Sequence, residues 1–453
     1  MKEECRMADL MEAARDRVET ILDPGSFVEI GALVTGRNVS GTGSQTADGD
    51  GVVTGYGTVS DRLVFVCAQN PAVKGGSIGE MHAKKISNIY SMAVKMGAPV
   101  LFLADCAGLR VEEGNDSLYS FGKVFQHVAK ASGVVPLLTA VYGNCGGGMA
   151  VLASLSDFCF MEKDAKLFVQ SPDAVTGNYT EKCDTASASF RAKECGDCDF
   201  IGSGEEIAAK IRELISFLPQ NNEEDFSETA CTDDLNRSVS GIENLGDKAL
   251  MLREISDDGK IFELKKEYAE CVVTAFIKLN GKTIGAVANN KDEICANGLS
   301  KAASFLRFCD AFNIPVLTLC DVKAFRKDME NEKRIAKSAS LLTFAYSDLT
   351  VPSVTVVKKA YGTAGLLMGG KALGTDLVFA LVNAEMGIME KEQMNSLTDL
   401  NKEKDVYSAQ YNAEKGLIDD IIDPAELRQR LAAAFEMLYS KCVTATPKKH
   451  SAL

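Results

Sequence analysis

Two short stretches carry the residue types that could do chemistry: residues 141–158, VYGNCGGGMAVLASLSDF, and residues 358–370, KKAYGTAGLLMGG. In each, a strand-like run leads through small residues into an apolar, helix-like segment. The small residues are Gly146, Gly147 and Gly148 in the first stretch, and Gly362, Thr363 and Ala364 in the second. Small side chains at such a turn let a ligand oxygen reach two backbone N–H groups, aided by the helix N-terminus, which is the geometry of an oxyanion hole. The same residues also suit a tight turn at positive φ or close helix–strand packing.

Other catalytic apparatus is sparse. The three histidines are His82, His127 and His450, none near either turn in sequence. No H-E-x-x-H or G-x-x-x-x-G-K-[ST] pattern occurs. Cys195 and Cys198 form a lone C-x-x-C with no second pair, too little for a zinc site. Asp105 and Asp321 end apolar strands, positions where a carboxylate caps a helix or braces a loop. Chemistry here would rest on backbone donors and on a cofactor that brings its own reactivity.

The elements that position these turns are repeated. Lys85 and Lys301, Pro99 and Pro315, Asp105 and Asp321, and Pro136 and Pro352 are each 216 residues apart. The same spacing carries Gly146, Gly147 and Gly148 onto Gly362, Thr363 and Ala364. Each half reads as a strand hairpin, an amphipathic helix, an apolar strand after X-Pro-Val, then helix and strand again. That alternation predicts an α/β fold of two duplicated halves, each with a helix-covered parallel core. Residues 216–234, polar and acidic, read as a linker, so the domains are expected at 1–225 and 226–453. IDDIIDP followed by an amphipathic run predicts a last strand and helix, and TPKKHSAL a polar tail.

Composition narrows the class. A chain of 453 residues with net charge −14 and no basic block argues against a nucleic-acid partner. Its apolar runs are too short to span a bilayer, and the N-terminus has no signal-peptide core. Fourteen scattered cysteines then suggest reduced thiols and a cytoplasmic location.

The sequence resembles the biotin-dependent acyl-CoA carboxyltransferase family, whose halves are crotonase-like domains. The match runs through LDPGSFVEIGALV, GDGVVTGYGTVSDRLVFVCAQNPAVKGGSIGEMHAKKI, YGNCGGGMAVLASLSDFCFMEKDA, LSKAASFLRFCDAFNIPVLTL, KKAYGTAGLLMGGKALGTD and EKGLIDDIIDP. It is nearest the carboxyltransferase subunits of propionyl-CoA carboxylase and of sodium-pumping methylmalonyl-CoA or glutaconyl-CoA decarboxylases. The resemblance implies transfer of a carboxyl group between biotin on a carrier protein and the α-carbon of a short acyl-CoA. It implies two oxyanion holes, with Gly147 and Gly148 on the acyl-CoA side and Thr363 and Ala364 on the biotin side. Gly108, Leu109, Gly146, Gly362 and Leu366 would contact substrate, and no metal is implied. The expected partners are the biotin carrier protein and either a biotin carboxylase or a membrane decarboxylase subunit. In the family the site lies between the N-half of one subunit and the C-half of another within a hexameric ring, so a homo-oligomer is expected.

Several positions depart from the family pattern. DVKAF, residues 321–325, stands where Asp-Val-Pro-Gly-Phe is common. Leu109 falls where the family favours a less crowded Gly-Gly-Ala-Arg loop near CoA, and Leu366 where an acid is often found near the acyl pocket. The stretch after SPDAVTG diverges and is shorter. The altered DVKAF loop motivates a second reading, a non-catalytic crotonase-fold paralogue with a structural role.

Overall fold

The computed structural model describes residues 13–37, 49–175, 184–224, 230–397 and 405–443. The polar tail and part of the divergent stretch, residues 176–183, lie outside these. The chain divides into two compact units, Met1–Glu224 and Asp225–Leu453.

The first unit is built on one sheet. Its strands are β1 (Val28–Glu29), β2 (Val52–Val59), β3 (Arg62–Gln69), β4 (Val100–Cys106), β5 (Leu137–Gly146), β6 (Phe158–Glu162), β7 (Lys166–Phe168) and β8 (Phe200–Gly202). They lie in the order β1-β2-β3-β4-β5-β6-β8, with β7 added to the end of β5. β2 and β3 form an antiparallel hairpin, and from β3 onward neighbouring strands are parallel. β4 is almost wholly buried, as an apolar run flanked by parallel neighbours requires. Helices Glu80–Met96 and Asn115–Ala131 bury Ile86, Ile89, Val124 and Val128 in the same core as Phe102 and Val141.

The second unit repeats this plan with β9 (Ile261–Leu264), β10 (Val272–Leu279), β11 (Lys282–Asn289), β12 (Glu293–Ile294), β13 (Val316–Val322), β14 (Ala324–Phe325), β15 (Ser353–Tyr361), β16 (Leu377–Gly387) and β17 (Asp420–Ile422). The main sheet runs β17-β16-β15-β13-β11-β10-β9, and β12 pairs separately with β14. The expected last strand and helix are β17 and Leu427–Leu438, the latter entered through a turn in which Asp423 accepts the Ala425 N–H at 2.8 Å.

The duplication extends to single hydrogen bonds. The helices Glu80–Met96 and Ala296–Ala311 are followed by Gly97 (φ 62°) and Asn313 (φ 53°), left-handed residues that stop a helix and turn the chain towards X-Pro-Val. Pro99 O then accepts from Phe65 N at 2.9 Å, and Pro315 O from Gly285 N at 2.8 Å. The matched lysines are both buried. Lys85 Nζ reaches Asp50 at 3.1 Å and the Val52 carbonyl, and Lys301 Nζ reaches the carbonyls of Lys265, Tyr268 and Val272. Each lysine ties its helix to the start of the hairpin and keeps its charge in contact with oxygen.

The first part of the expected linker is not a free tether. Asn221 Nδ2 donates to Gly97 O at 2.9 Å and Asn222 N to Val134 O at 3.0 Å, docking it on the first unit. Residues 225–229 of the linker lie outside the described residues.

One carboxyl breaks the symmetry. Asp157 accepts Leu137 N at 2.8 Å, and Asp376 accepts Ser353 N at 2.8 Å in the other half. Asp376 has Lys441 at 2.8 Å. Asp157 instead faces the like charge of Asp199, and burial first, then that neighbour, pushes it up to about 7. Although part of the residue reaches the surface, its carboxyl is closely surrounded by protein. A carboxyl raised on folding stabilises fully below its unfolded value, and that stability is lost as pH rises through its folded value. The stability of the native protein is therefore expected to fall from pH 5 to pH 8 relative to Asp157→Asn, by up to about 1.4 kcal/mol per pH unit, read as a falling melting temperature. Parallel pH profiles for the two proteins would refute the assignment.

Candidate functional site

The first turn is formed where β5 passes into the helix Gly148–Leu155. Gly147 has φ 61° and ψ −128°, a conformation that L side chains rarely adopt. A Cβ on Gly148 would lie 2.2 Å from the Phe121 ring, and one on Gly146 would lie 2.9 Å from Phe168. The three glycines thus serve different ends, one bending the chain and two admitting aromatic rings. A Cβ on Gly147 would meet nothing within 4 Å, so the outer face of the turn is open.

The backbone N–H groups at this turn are not all open. Gly147 N–H is already given to Phe168 O at 2.8 Å, because β7 pairs with the end of β5. The N–H groups of Gly148 and Met149 begin the helix, where no intrahelical acceptor exists, and neither has an acceptor elsewhere among the described residues. The open pair is therefore Gly148 and Met149, with Gly147 acting as the bend. Gly147 N–H, one of the two expected at the acyl-CoA side, is thus engaged within the fold in this structure.

The second turn joins β15 to the helix Gly362–Leu367. Gly362 takes φ 54°, with Ile388 O only 3.2 Å from where a Cβ would stand. Thr363 is exposed and Ala364 is buried, so the threonine side chain turns outward and leaves the backbone edge clear. The N–H groups of Thr363 and Ala364 have no acceptor among the described residues. Leu366, 44% exposed, stands at the edge of an apolar cavity of about 580 Å³ lined also by Gly365, Met386, Ile388, Tyr407 and Tyr411. Nothing in the one-dimensional pattern singles out this cavity, because its walls come from β15, β16 and the helix Ala409–Glu414.

Matched carboxylates brace both strand ends. Asp105 pairs with Arg17 at 3.0 Å and its N–H is held by Gln69 at 3.1 Å. Asp321 pairs with Lys248 at 2.9 Å and its N–H is held by Asn289 at 2.6 Å. Burial would raise the Asp321 carboxyl, but Lys248, with Lys358 and Lys359 beyond it, keeps it below its usual range. Both aspartates thus brace their loops through these partners, the bracing role open to them from sequence. Gln69 also lies 3.4 Å from the fully buried His82, whose pKa falls to about 3 through burial first and then Arg110. His82 is a neutral structural imidazole at physiological pH.

The loops carrying the other sequence candidates are tightly held. Gly108 takes φ 115°, and its carbonyl accepts Ile78 N at 2.9 Å. Leu109 is half-buried against the first unit's core. In DVKAF, Lys323 pairs with Asp292 at 2.7 Å, and Ala324–Phe325 is the short strand β14 beside β12. The loop that lacks Pro-Gly is therefore fixed by an ion pair and a two-residue ladder.

Cys195 and Cys198 do not converge on a common centre. The first lies 3.8 Å from Arg191 Nη1, and the second donates to Phe200 O at 3.2 Å. No cluster of three or more metal-ligating side chains occurs among the described residues. No described helix is long and apolar enough to cross a membrane.

Comparisons with known proteins agree on the family. The carboxyl transferase domain pattern matches residues 11–453. The propionyl-CoA carboxylase beta chain of Roseobacter denitrificans is 37% identical over 96% of this chain and 92% of its own length. The methylmalonyl-CoA decarboxylase subunit alpha of Propionigenium modestum is 36% identical over the same shares. Among solved structures, transcarboxylase 12S, described as a hexamer with methylmalonyl-CoA and methylmalonic acid bound, superposes with a TM-score of 0.92. It is 32% identical, over 98% of this chain and 94% of its own. The duplicated α/β units, the matched turns and these near full-length similarities place the chain in the carboxyl transferase family, with two tandem crotonase-like domains.

Proposed function

We propose that this chain is the carboxyltransferase subunit of a biotin-dependent acyl-CoA carboxylase or a sodium-pumping acyl-CoA decarboxylase. It moves a carboxyl group between biotin on a carrier protein and the α-carbon of a propionyl- or methylmalonyl-type CoA thioester. The observation that carries this reading is the pair of repeat-matched turns, each presenting two open backbone N–H groups at a helix start.

Carbanion chemistry next to a thioester places negative charge on the thioester oxygen, and Gly148 and Met149 N–H are set to receive it, with the helix dipole behind them. Gly108 and Leu109 shape the loop that faces the CoA side. Biotin, when bound, supplies or takes up the carboxyl group. Thr363 and Ala364 N–H fit its ureido oxygen, and the apolar cavity edged by Leu366 lies on the same helix start. The apolar lining holds few competing polar groups, which strengthens the backbone donors. Neither turn needs a histidine base.

Coenzyme A thioesters are expected to raise the melting temperature, since a ligand held only by the native state stabilises by about 2.7 kcal/mol at roughly a hundred times its Kd. Carboxyl transfer from methylmalonyl-CoA to free biotin, followed by mass spectrometry, tests the activity directly. Ligand-induced stabilisation without transfer, even with a carrier protein supplied, would favour the non-catalytic reading, for which the closed Lys323–Asp292 loop is the supporting observation. No stabilisation by acetyl-, propionyl-, malonyl- or methylmalonyl-CoA at millimolar concentration would overturn the proposal. A hexameric mass in solution is the assembly expected.

A further inference from the structure

The second unit contains a thiol pair that the proposed carboxyl transfer does not use. Cys271, at the start of β10, and Cys295, at the N-cap of helix Ala296–Ala311, have their sulfurs 3.1 Å apart. Cys295 N–H points to the Cys271 sulfur at 3.4 Å, and Gly298 N–H to the Cys295 sulfur at 3.4 Å. A Cβ on Gly298 would stand 2.6 Å from the Cys271 sulfur, so that glycine makes the room for it. Cys271 is buried and Cys295 partly exposed, which gives one protected and one approachable sulfur.

The duplication shows that the fold itself does not demand these thiols. Gly79 is the N-cap of the matching helix in the first unit, and Gly51 precedes Val52 as Cys271 precedes Val272. Two glycines in one half are thus replaced by two touching cysteines in the other. The hydrogen bond from Cys271 first, then Gly298 N–H and the Arg326 charge, outweigh burial and hold the Cys295 thiol below the usual range. Cys271 is pushed up in consequence. That is the division between an attacking and a resolving thiol.

We propose that Cys271 and Cys295 form a reversible dithiol–disulfide modification site whose oxidant is a low-molecular-weight disulfide. The Cys295 thiolate attacks one sulfur of the small disulfide, the S–S bond breaks, and one small thiolate leaves. Cys271 then loses its proton to solvent and attacks the Cys295 sulfur, expelling the second small thiolate. Two protein thiols are oxidised by two electrons, and one small disulfide is reduced to two thiols. The sulfurs need to approach by only about 1 Å to reach disulfide bonding distance. Cys295 directly follows β12, which pairs with β14 of the DVKAF loop, so the new bond would be made at the root of that loop. This inference is independent of the proposed carboxyl transfer.

The test exposes the intact full-length protein to mixtures of oxidised and reduced glutathione, quenches by alkylation, and maps the peptides by mass spectrometry. A Cys271–Cys295 cross-linked peptide is expected, reversed by dithiothreitol. Cys271→Ser should trap a glutathione adduct on Cys295. Cys295→Ser, which keeps a side chain able to cap the helix, should abolish both products. The exposed Cys442 reports that the reagent acted. Modification of Cys442 with no cross-linked peptide, or no Cys295 adduct in Cys271→Ser, would overturn the proposal.

Discussion

Thr363→Pro is expected to lower carboxyl transfer to or from biotin by a hundredfold or more while leaving acyl-CoA affinity near normal. Proline deletes one N–H and nothing else of the backbone, and the first turn of a helix tolerates it because that N–H has no intrahelical acceptor. Thr363 is exposed, so the ring displaces no packed neighbour, and Gly362 before it tolerates the added restriction. Loss of one oxyanion donor costs about 2.7–4 kcal/mol of transition-state stabilisation, which sets the size of the effect. Steady-state kinetics with free biotin and calorimetry with propionyl-CoA separate the two quantities. A folded, correctly assembled variant with full activity would refute a donor role for Thr363. Loss of acyl-CoA affinity would mean that the two turns are assigned to the wrong substrates.

The legible part of this protein was its periodicity. A helix pattern, X-Pro-Val and an apolar strand recur at constant spacing, and the Pro99 and Pro315 carbonyls make matched contacts. The turns were legible as small residues after strands, since that signal is local. Their donors were not. Whether Gly147 N–H is open depends on the register of β7 with the end of β5, and no local pattern specifies it. Gly148 looks like its neighbours in sequence, yet its reason is the ring of Phe121. The support of Asp105 by Arg17 and of Asp321 by Lys248 was equally hidden, because each cation lies far from its carboxylate along the chain. Leu366 stands out in the sequence as an apolar residue where an acid is common, but the cavity beside it exists only once β15 and β16 are paired. Cys271 and Cys295 read as two of many scattered thiols until the helix N-cap meets the start of β10.

Gly147→Val should produce the complementary defect on the acyl-CoA side. The turn needs φ 61° there, so any L side chain costs on the order of 1–3 kcal/mol of stability before its size matters. Space is not the obstacle, since nothing lies within 4 Å of the added Cβ. The branched side chain therefore occupies the open face through which an acyl oxygen approaches Gly148 and Met149. Transfer is expected to fall at least a hundredfold, with weakened binding of propionyl-CoA and a melting temperature lower by several degrees. Gly147→Ala carries the same backbone strain with less bulk, and should keep more acyl-CoA affinity than the valine variant. If both variants melt alike but differ in affinity, steric closure of the turn is the cause. Equal affinity in the two, or full transfer by folded Gly147→Val, would remove this turn from the acyl-CoA site. Circular dichroism and oligomer mass must match the parent protein, because a strained turn that unfolds its helix would lower activity by another route.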